Sequence, residues 1–277
     1  MEGCIIPSPR IQSTTHLLFI FITLTIAATS LAAEQVPVVY KQGAIHGFLL
    51  LKDENGKEIA VGDQTNEVHG NLIRSRTVFQ FRDGSVDDEE TVYRQGSTFQ
   101  LIRDHHIQKG PSFPKPAEVT IDVAKNEVSW VDLSGKDKQA KSQHMNLPRD
   151  LANGMVPLLV QNFPHGAAQL KASYLAAGPK SRIVQLTIAP DRSDKVVVGW
   201  SDRKAHRFNV HTELGGIAGV VAPLIGKQPP DVGVWMVEGT DAPAPAFIKL
   251  VAPFYEDGPA WSVLLTAPTW PIEDQKN

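Results

Sequence analysis

The sequence predicts a mainly β protein: one large curved antiparallel sheet, a half-barrel or barrel, wrapping one central short helix. Three observations point there. Period-two alternation with β-branched and aromatic residues fills most of the chain after residue 34, as expected of strands with one buried face. Turn clusters separate these runs closely, so that successive strands return antiparallel as a meander. Between residues 146 and 163 the pattern changes to helical spacing.

In chain order, residues 44–51 form a strand that turns at Asp53-Glu54-Asn55-Gly56 into 58–61. Residues 72–81 alternate Ile73, Ser75, Thr77, Phe79 and Phe81, then turn at Arg82-Asp83-Gly84-Ser85. Strands at 91–94 and 98–107 are joined by Gln95-Gly96-Ser97, and after the Pro-rich 110–116 come Val119, Ile121 and Val123, a turn at Lys125-Asn126, and 128–133. The central helix is expected at about 147–163, with Leu151, Met155, Leu158 and Leu159 on one face. Pro148 suits a first helical turn, Gly154 and Pro157 weaken or shorten the helix, and Pro164 stops it. Strands resume at 172–175, 182–188, 195–200, 206–214, 232–237, 247–253 and 261–267, with a turn expected at 190–194. Neither a flexible linker nor matching motifs divide the chain, so residues 34–277 read as a single β-rich domain.

Residues 1–33 read as a signal peptide. The run LLFIFITLTIAA at 17–28 is too short to span a bilayer and precedes Ser30-Leu31-Ala32, which fits a cleavage site near Ala32–Ala33. The sole cysteine, Cys4, leaves with that segment, and no Asn-x-Ser/Thr sequon is present. An exported protein, periplasmic or secreted and of bacterial type, is the expectation.

Composition and motifs narrow the function by exclusion. A formal net charge of −3 and the lack of a basic run give no field for nucleic acid. The Gly-rich segment 214–231, LGGIAGVVAPLIGKQPPD, fails as a dinucleotide turn because Leu214 stands where the first glycine belongs and Pro223 interrupts the helix. It fails as a phosphate loop because Val221 replaces the first glycine and Gln228 the Ser/Thr. It reads instead as a buried crossover or an apolar flap carrying Ile217, Val221 and Leu224. Neither a G-x-S-x-G nor an S-x-x-K motif marks a nucleophile, so no catalytic residue and no cofactor are assigned. Asp104 and His106 share one strand face while His105 takes the other, which leaves a possible ligand pair without a metal motif; the simpler reading is a surface strand. The acidic run from Asp83 to Glu90 misses the EF-hand glycine at Asp88 and the final glutamate at Arg94, and reads as a solvated hairpin tip.

A meander, a central helix at 146–163 and a second meander together resemble the half-barrel envelope proteins of bacteria, including the lipoprotein-localisation carriers and uncharacterised periplasmic families related to them. The resemblance covers about 36–270 and departs from the carriers in size and in the 215–230 insertion. It implies a curved sheet around a helix with an apolar cavity, and it transfers no functional residue. The expected function is therefore non-catalytic binding of an apolar or amphipathic, lipid-like ligand. Phe79, Phe81, Leu151, Met155, Leu158, Ile217, Val221, Leu224 and Trp235 are its expected lining. The alternatives are an envelope assembly module acting through 214–231, and a hydrolase without a recognisable motif.

Overall fold

Among the described residues, fourteen strands make one antiparallel sheet. Eight precede the helix: β1 (Ile45–Lys52), β2 (Glu58–His69), β3 (Leu72–Phe81), β4 (Val86–Gln95), β5 (Phe99–Lys109), β6 (Ala117–Asp122), β7 (Glu127–Asp132) and β8 (Lys141–His144). After α1 (Val156–Gln161) come β9 (Leu170–Ala176), β10 (Arg182–Val198), β11 (Ser201–Glu213), β12 (Val232–Val237), β13 (Ala246–Pro253) and β14 (Ala260–Ala267). The computed structural model describes Met1 and residues 35–135, 138–198, 201–215, 228–237 and 244–267. The sheet order is β8-β7-β6-β5-β4-β3-β2-β1-β14-β13-β12-β11-β10-β9. Consecutive strands are thus neighbours in the sheet except β8 and β9, and the one non-sequential pairing is β1 with β14. The sheet is curved but not closed: β8 and β9 are its two edges.

Alternation decides which face goes inward. Leu49 and Leu51 of β1, Ala60 of β2, and Phe79 and Phe81 of β3 are buried and lie in register on one face. With Phe113, Trp261 and Val263 they form one apolar cluster, in which the Phe81 ring meets Phe113 at 5.2 Å and Trp261 at 5.6 Å between centroids. A second and larger cluster gathers Ile73, Tyr93, Leu101, Ile121, Leu151, Met155, Leu159, Leu186, Ile188, Val234 and Met236. A third, small one sits on the opposite face of β12, where Trp235 and Val237 pack with Ala205 and Ile248. Gly62 is the small residue that lets the Phe79 ring lie flat across β2. A Cβ there would stand 2.6 Å from the ring and 2.7 Å from the Val78 carbonyl oxygen. Gly62→Ala is expected to lower stability by about 1–3 kcal/mol, typical of overpacking, and a reduced urea midpoint is the measurement.

The connection between the two halves departs from the expected long helix. Residues 150–153 lie alongside the edge strand β9, with one bridge from Leu151 to Ser173: the Ala152 amide donates to the Ser173 carbonyl at 2.8 Å, and the Ser173 amide to Asp150 Oδ2 at 2.8 Å. Asn153 continues the pairing with its side chain, accepting from the Leu175 amide at 2.9 Å and donating to the Leu175 carbonyl at 3.0 Å. An otherwise bare sheet edge is thereby covered. Gly154, at φ +66°, lies in the turn at 153–155 that follows. The helix starts only afterwards, with Pro157 in its first turn, where a missing N–H is harmless. The proline expected to interrupt the helix therefore begins it. Leu159 and Val160 are buried, and α1 packs over β12 and β13.

Two other expectations change. Residues 190–194 are not a turn: β10 runs through them, and its register with β11 shifts between Pro190 and Arg192. A bulge is where a strand accommodates proline. Nor is the acidic run a hairpin tip beyond Gly84, because residues 86–90 are the first half of β4.

Candidate functional site

Between the two large apolar clusters the inward face of β2–β5 turns polar. Cross-strand register sets out the rows. Gln64, Thr77, Glu89 and His106 form one; Asn66, Ser75, Thr91 and Asp104 form the next. Asp87 and Gln108 pair in the row beside Phe79. Phe79 and the ring cluster bound this seam at one end, and Ile73, Tyr93 and Leu101 at the other.

The charged members are tied together unequally. The His106 ring Nε2 lies 3.1 Å from Asp87 Oδ2, and Gln108 donates to the same oxygen at 2.6 Å. The Thr91 hydroxyl donates to Asp104 Oδ1 at 2.8 Å, with Asp104 only 2% exposed. Glu89 is deep in the concavity, partly reached by solvent, and accepts no hydrogen bond from a described residue. From across the concavity, Tyr174 of β9 comes within electrostatic reach of Glu89 and Asp104. Gly154 shows how close the walls are: a Cβ there would lie 1.9 Å from Thr91 Oγ1 and 2.9 Å from Asp104 Oδ1.

This crowding sets the protonation states. Burial pushes the Glu89 carboxyl up to about 7, with Asp104 and Asp87 adding and His106 opposing. Burial also raises Asp104, against the Thr91 bond and the charges of His106, His105 and Arg103. Desolvation pulls His106 down, but Asp87, Glu89 and Asp104 together outweigh it and lift the ring to about 10. Burial first, then Glu89 and Asp104, raises the Tyr174 phenol. His106 is therefore an imidazolium at neutral pH and has no free base form to accept a proton.

Stability should follow. The folded state holds the His106 proton more tightly than the unfolded chain, whose value is near 6.5, so its contribution is full below that pH and is lost as pH rises through about 10. Glu89 acts in the same direction between its ordinary 4.5 and about 7. The urea midpoint is expected to fall steadily on the alkaline side of neutrality. His106→Gln should flatten that slope; an unchanged slope would count against the assignment.

The expected lining residues are dispersed. Phe79 and Phe81 belong to the ring cluster, Leu151 and Met155 to the large cluster, and Leu158 packs partly buried against it. Around Leu151, Met155 and Leu159 the interior leaves a cavity of about 10 Å³, room for about one water molecule. Trp235 lies on the opposite face, sandwiched between Arg207 at 5.2 Å and Lys249 at 4.8 Å, with its Nε1 donating to Asp194. Ile217, Val221 and Leu224 lie outside the described residues. Asp104 and His106 do share a face, as alternation required, but it is the inward one. Among the described residues no three His, Cys, Asp or Glu side chains are arranged to hold a metal ion. Sequence reasoning took Glu89 only as part of the acidic run, read as a solvated hairpin tip, and missed Asn66 and Tyr174. The available signal was a strand with acids at both parities: Asp88 and Glu90 pair outward with Arg76 and Arg74, while among the described residues Asp87 and Glu89 meet no arginine.

No family model and no curated protein matches the chain. Among solved structures it is similar to a β-barrel-like protein of the domain of unknown function DUF1849 from Brucella abortus. The match has 10% identity and a TM-score of 0.42, and covers 86% of this chain and 99% of that one.

Proposed function

We propose that this is a non-catalytic binding protein of the bacterial envelope, exported by residues 1–33, that holds an amphipathic, lipid-like ligand against its concave face. The observation that carries the reading is the seam itself: a partly solvated polar band between two apolar clusters. Phe247 and Leu250, partly buried and packed against both clusters, offer the apolar surface beside it. A ligand lying there keeps its polar end at Glu89, Asp104 and Tyr174 and its chain on the rings and aliphatic groups. The closely packed interior around Leu151 and Met155 makes those residues structural plugs in this reading, and 214–231 remains its flap.

Native mass spectrometry of the exported protein tests it. An N-terminus at Ala33 or Glu34 and a co-purifying amphiphile, released on unfolding, are expected. A ligand-free protein that binds no added amphiphile overturns the reading. A second reading, an assembly module, is favoured by the β10–β11 hairpin. Residues 195–198 pair only with 201–204 among the described strands, and Val197 is 71% exposed. Shortening that hairpin separates the two: a lost partner with ligand retained supports assembly.

A further inference from the structure

We infer that the free end of the β10–β11 hairpin is a contact site for an anionic lipid bilayer: Val197 enters the interface while Lys195, Arg203 and Lys204 hold lipid phosphates. The site is separate from the concave face and does not depend on a ligand being held there.

Three observations converge. First, the hairpin outruns the sheet. β9 pairs with β10 only as far as Ile188, and β12 with β11 only over Ala205–Val210. Residues 195–198 and 201–204 have each other and no further strand among those described. Second, Val197 is more exposed than Val61 or Phe48 and belongs to none of the three apolar clusters. Third, the charge is uncompensated. Residues 195–204 carry Lys195, Arg203 and Lys204 against Asp202 alone. Lys195 and Lys204 stand directly opposite each other on one face, where like charges repel. All three cations are exposed, and none makes an ion pair among the described residues. Elsewhere the strands match their cations: Arg74 meets Glu90, Arg76 meets Asp88 and Lys171 meets Glu213.

An anionic bilayer fits both parts of this inventory. Val197 lies two residues beyond Lys195 on the same face, about 7 Å nearer the end of the hairpin. An apolar side chain is thus carried past a collar of cations, whose long stems reach headgroup phosphates. A strand added to either border would meet lysines, which natural edge strands use to discourage such pairing. The whole chain has a formal net charge of −3. The attraction is therefore local to the hairpin, and it turns that end of the molecule toward the membrane.

Co-sedimentation of the exported protein with vesicles of phosphatidylglycerol or of phosphatidylcholine is the test. At about 0.1 M salt the anionic vesicles are expected to bind about tenfold tighter or more, since each cation near such a surface is worth about fivefold. The preference should vanish near about 1 M salt, where charges are screened within about 3 Å. Reversing both lysines, Lys195→Glu with Lys204→Glu, should abolish the preference, and Val197→Ser should weaken binding while its salt dependence persists. Asp202→Asn should tighten binding to the anionic vesicles about fivefold. All these residues are exposed, so the variants should melt with the native protein; a gain of binding at an unchanged melting temperature cannot be ascribed to unfolding. Equal binding to the two lipids, or a preference that survives reversal of both lysines, overturns the proposal. A protein that binds neither vesicle also overturns it and leaves the hairpin to a protein partner.

Discussion

Gly154→Ala is expected to lower stability by about 3–5 kcal/mol, the most severe single effect of any substitution proposed here. Two penalties combine. The residue holds φ +66°, a left-handed backbone that alanine adopts at a cost of about 1–2 kcal/mol. Its new methyl would also lie 1.9 Å from Thr91 Oγ1 and 2.9 Å from Thr91 Cβ, inside any permissible contact. Thr91 is buried and its hydroxyl bonds Asp104, so turning the side chain away leaves that carboxyl without its one donor among the described residues. A Thr91→Ala background separates the two penalties. If the double variant regains the steric part but not the backbone part, urea unfolding followed by tryptophan fluorescence will show partial, non-additive recovery. Full additivity would mean that the two residues do not press on each other.

Asn162→Ala should cost about 2–4 kcal/mol by another route. Asn162 is fully buried just after α1. Its Oδ1 accepts from the Val39 amide at 3.0 Å and the Tyr40 amide at 2.7 Å, and its Nδ2 donates to the Leu158 carbonyl at 3.0 Å. One side chain thus ends the helix and pins the segment that leads into β1. Alanine strands the two amides, while the Leu158 carbonyl keeps only the backbone N–H of residue 162. Asn162→Asp keeps the acceptor but loses the donor, and places negative charge against the carbonyl end of the helix. It is expected to rescue only part of the loss. A melting curve ranking native above Asp above Ala is the expected order; an alanine variant as stable as the native protein would contradict the role.

How much of this was readable beforehand depended on whether a strand had one apolar face. Residues 72–81 and 232–237 were bounded as β3 and β12 are, because Ile73, Phe79 and Phe81, or Val234 and Met236, alternate against residues of other use. Residues 141–144, KSQH, carry no apolar side chain and are exposed throughout. An edge strand of that kind leaves no trace in hydropathy. The first half of β4 was unreadable for the opposite reason: acids occupy both faces, so alternation cannot tell the inward Asp87 and Glu89 from the outward Asp88 and Glu90. The candidate site was hidden for the same cause that makes it a candidate, since it puts polar residues where a core position would be expected. The helix was overextended because Leu151, Met155 and Leu158 are all buried or packed inward, and a burial pattern cannot report the left-handed glycine between them. Asp87 and Glu89 entered only as part of the acidic run; for Asp104 and His106 the shared face was correct while its direction was not.

The pairing of β1 with β14 has a consequence in time. Leu49, Leu50 and Leu51 take Leu265, Leu264 and Val263 as neighbours. During synthesis that side of β1 waits about two hundred residues for its partner, while every hairpin between them can form at once. The slow step of folding is then the arrival of the final strand, and until it docks the chain carries a leucine-rich edge open to any other strand in the compartment. Truncation just short of β14 should therefore yield aggregates, while the hairpins ahead of it remain able to form.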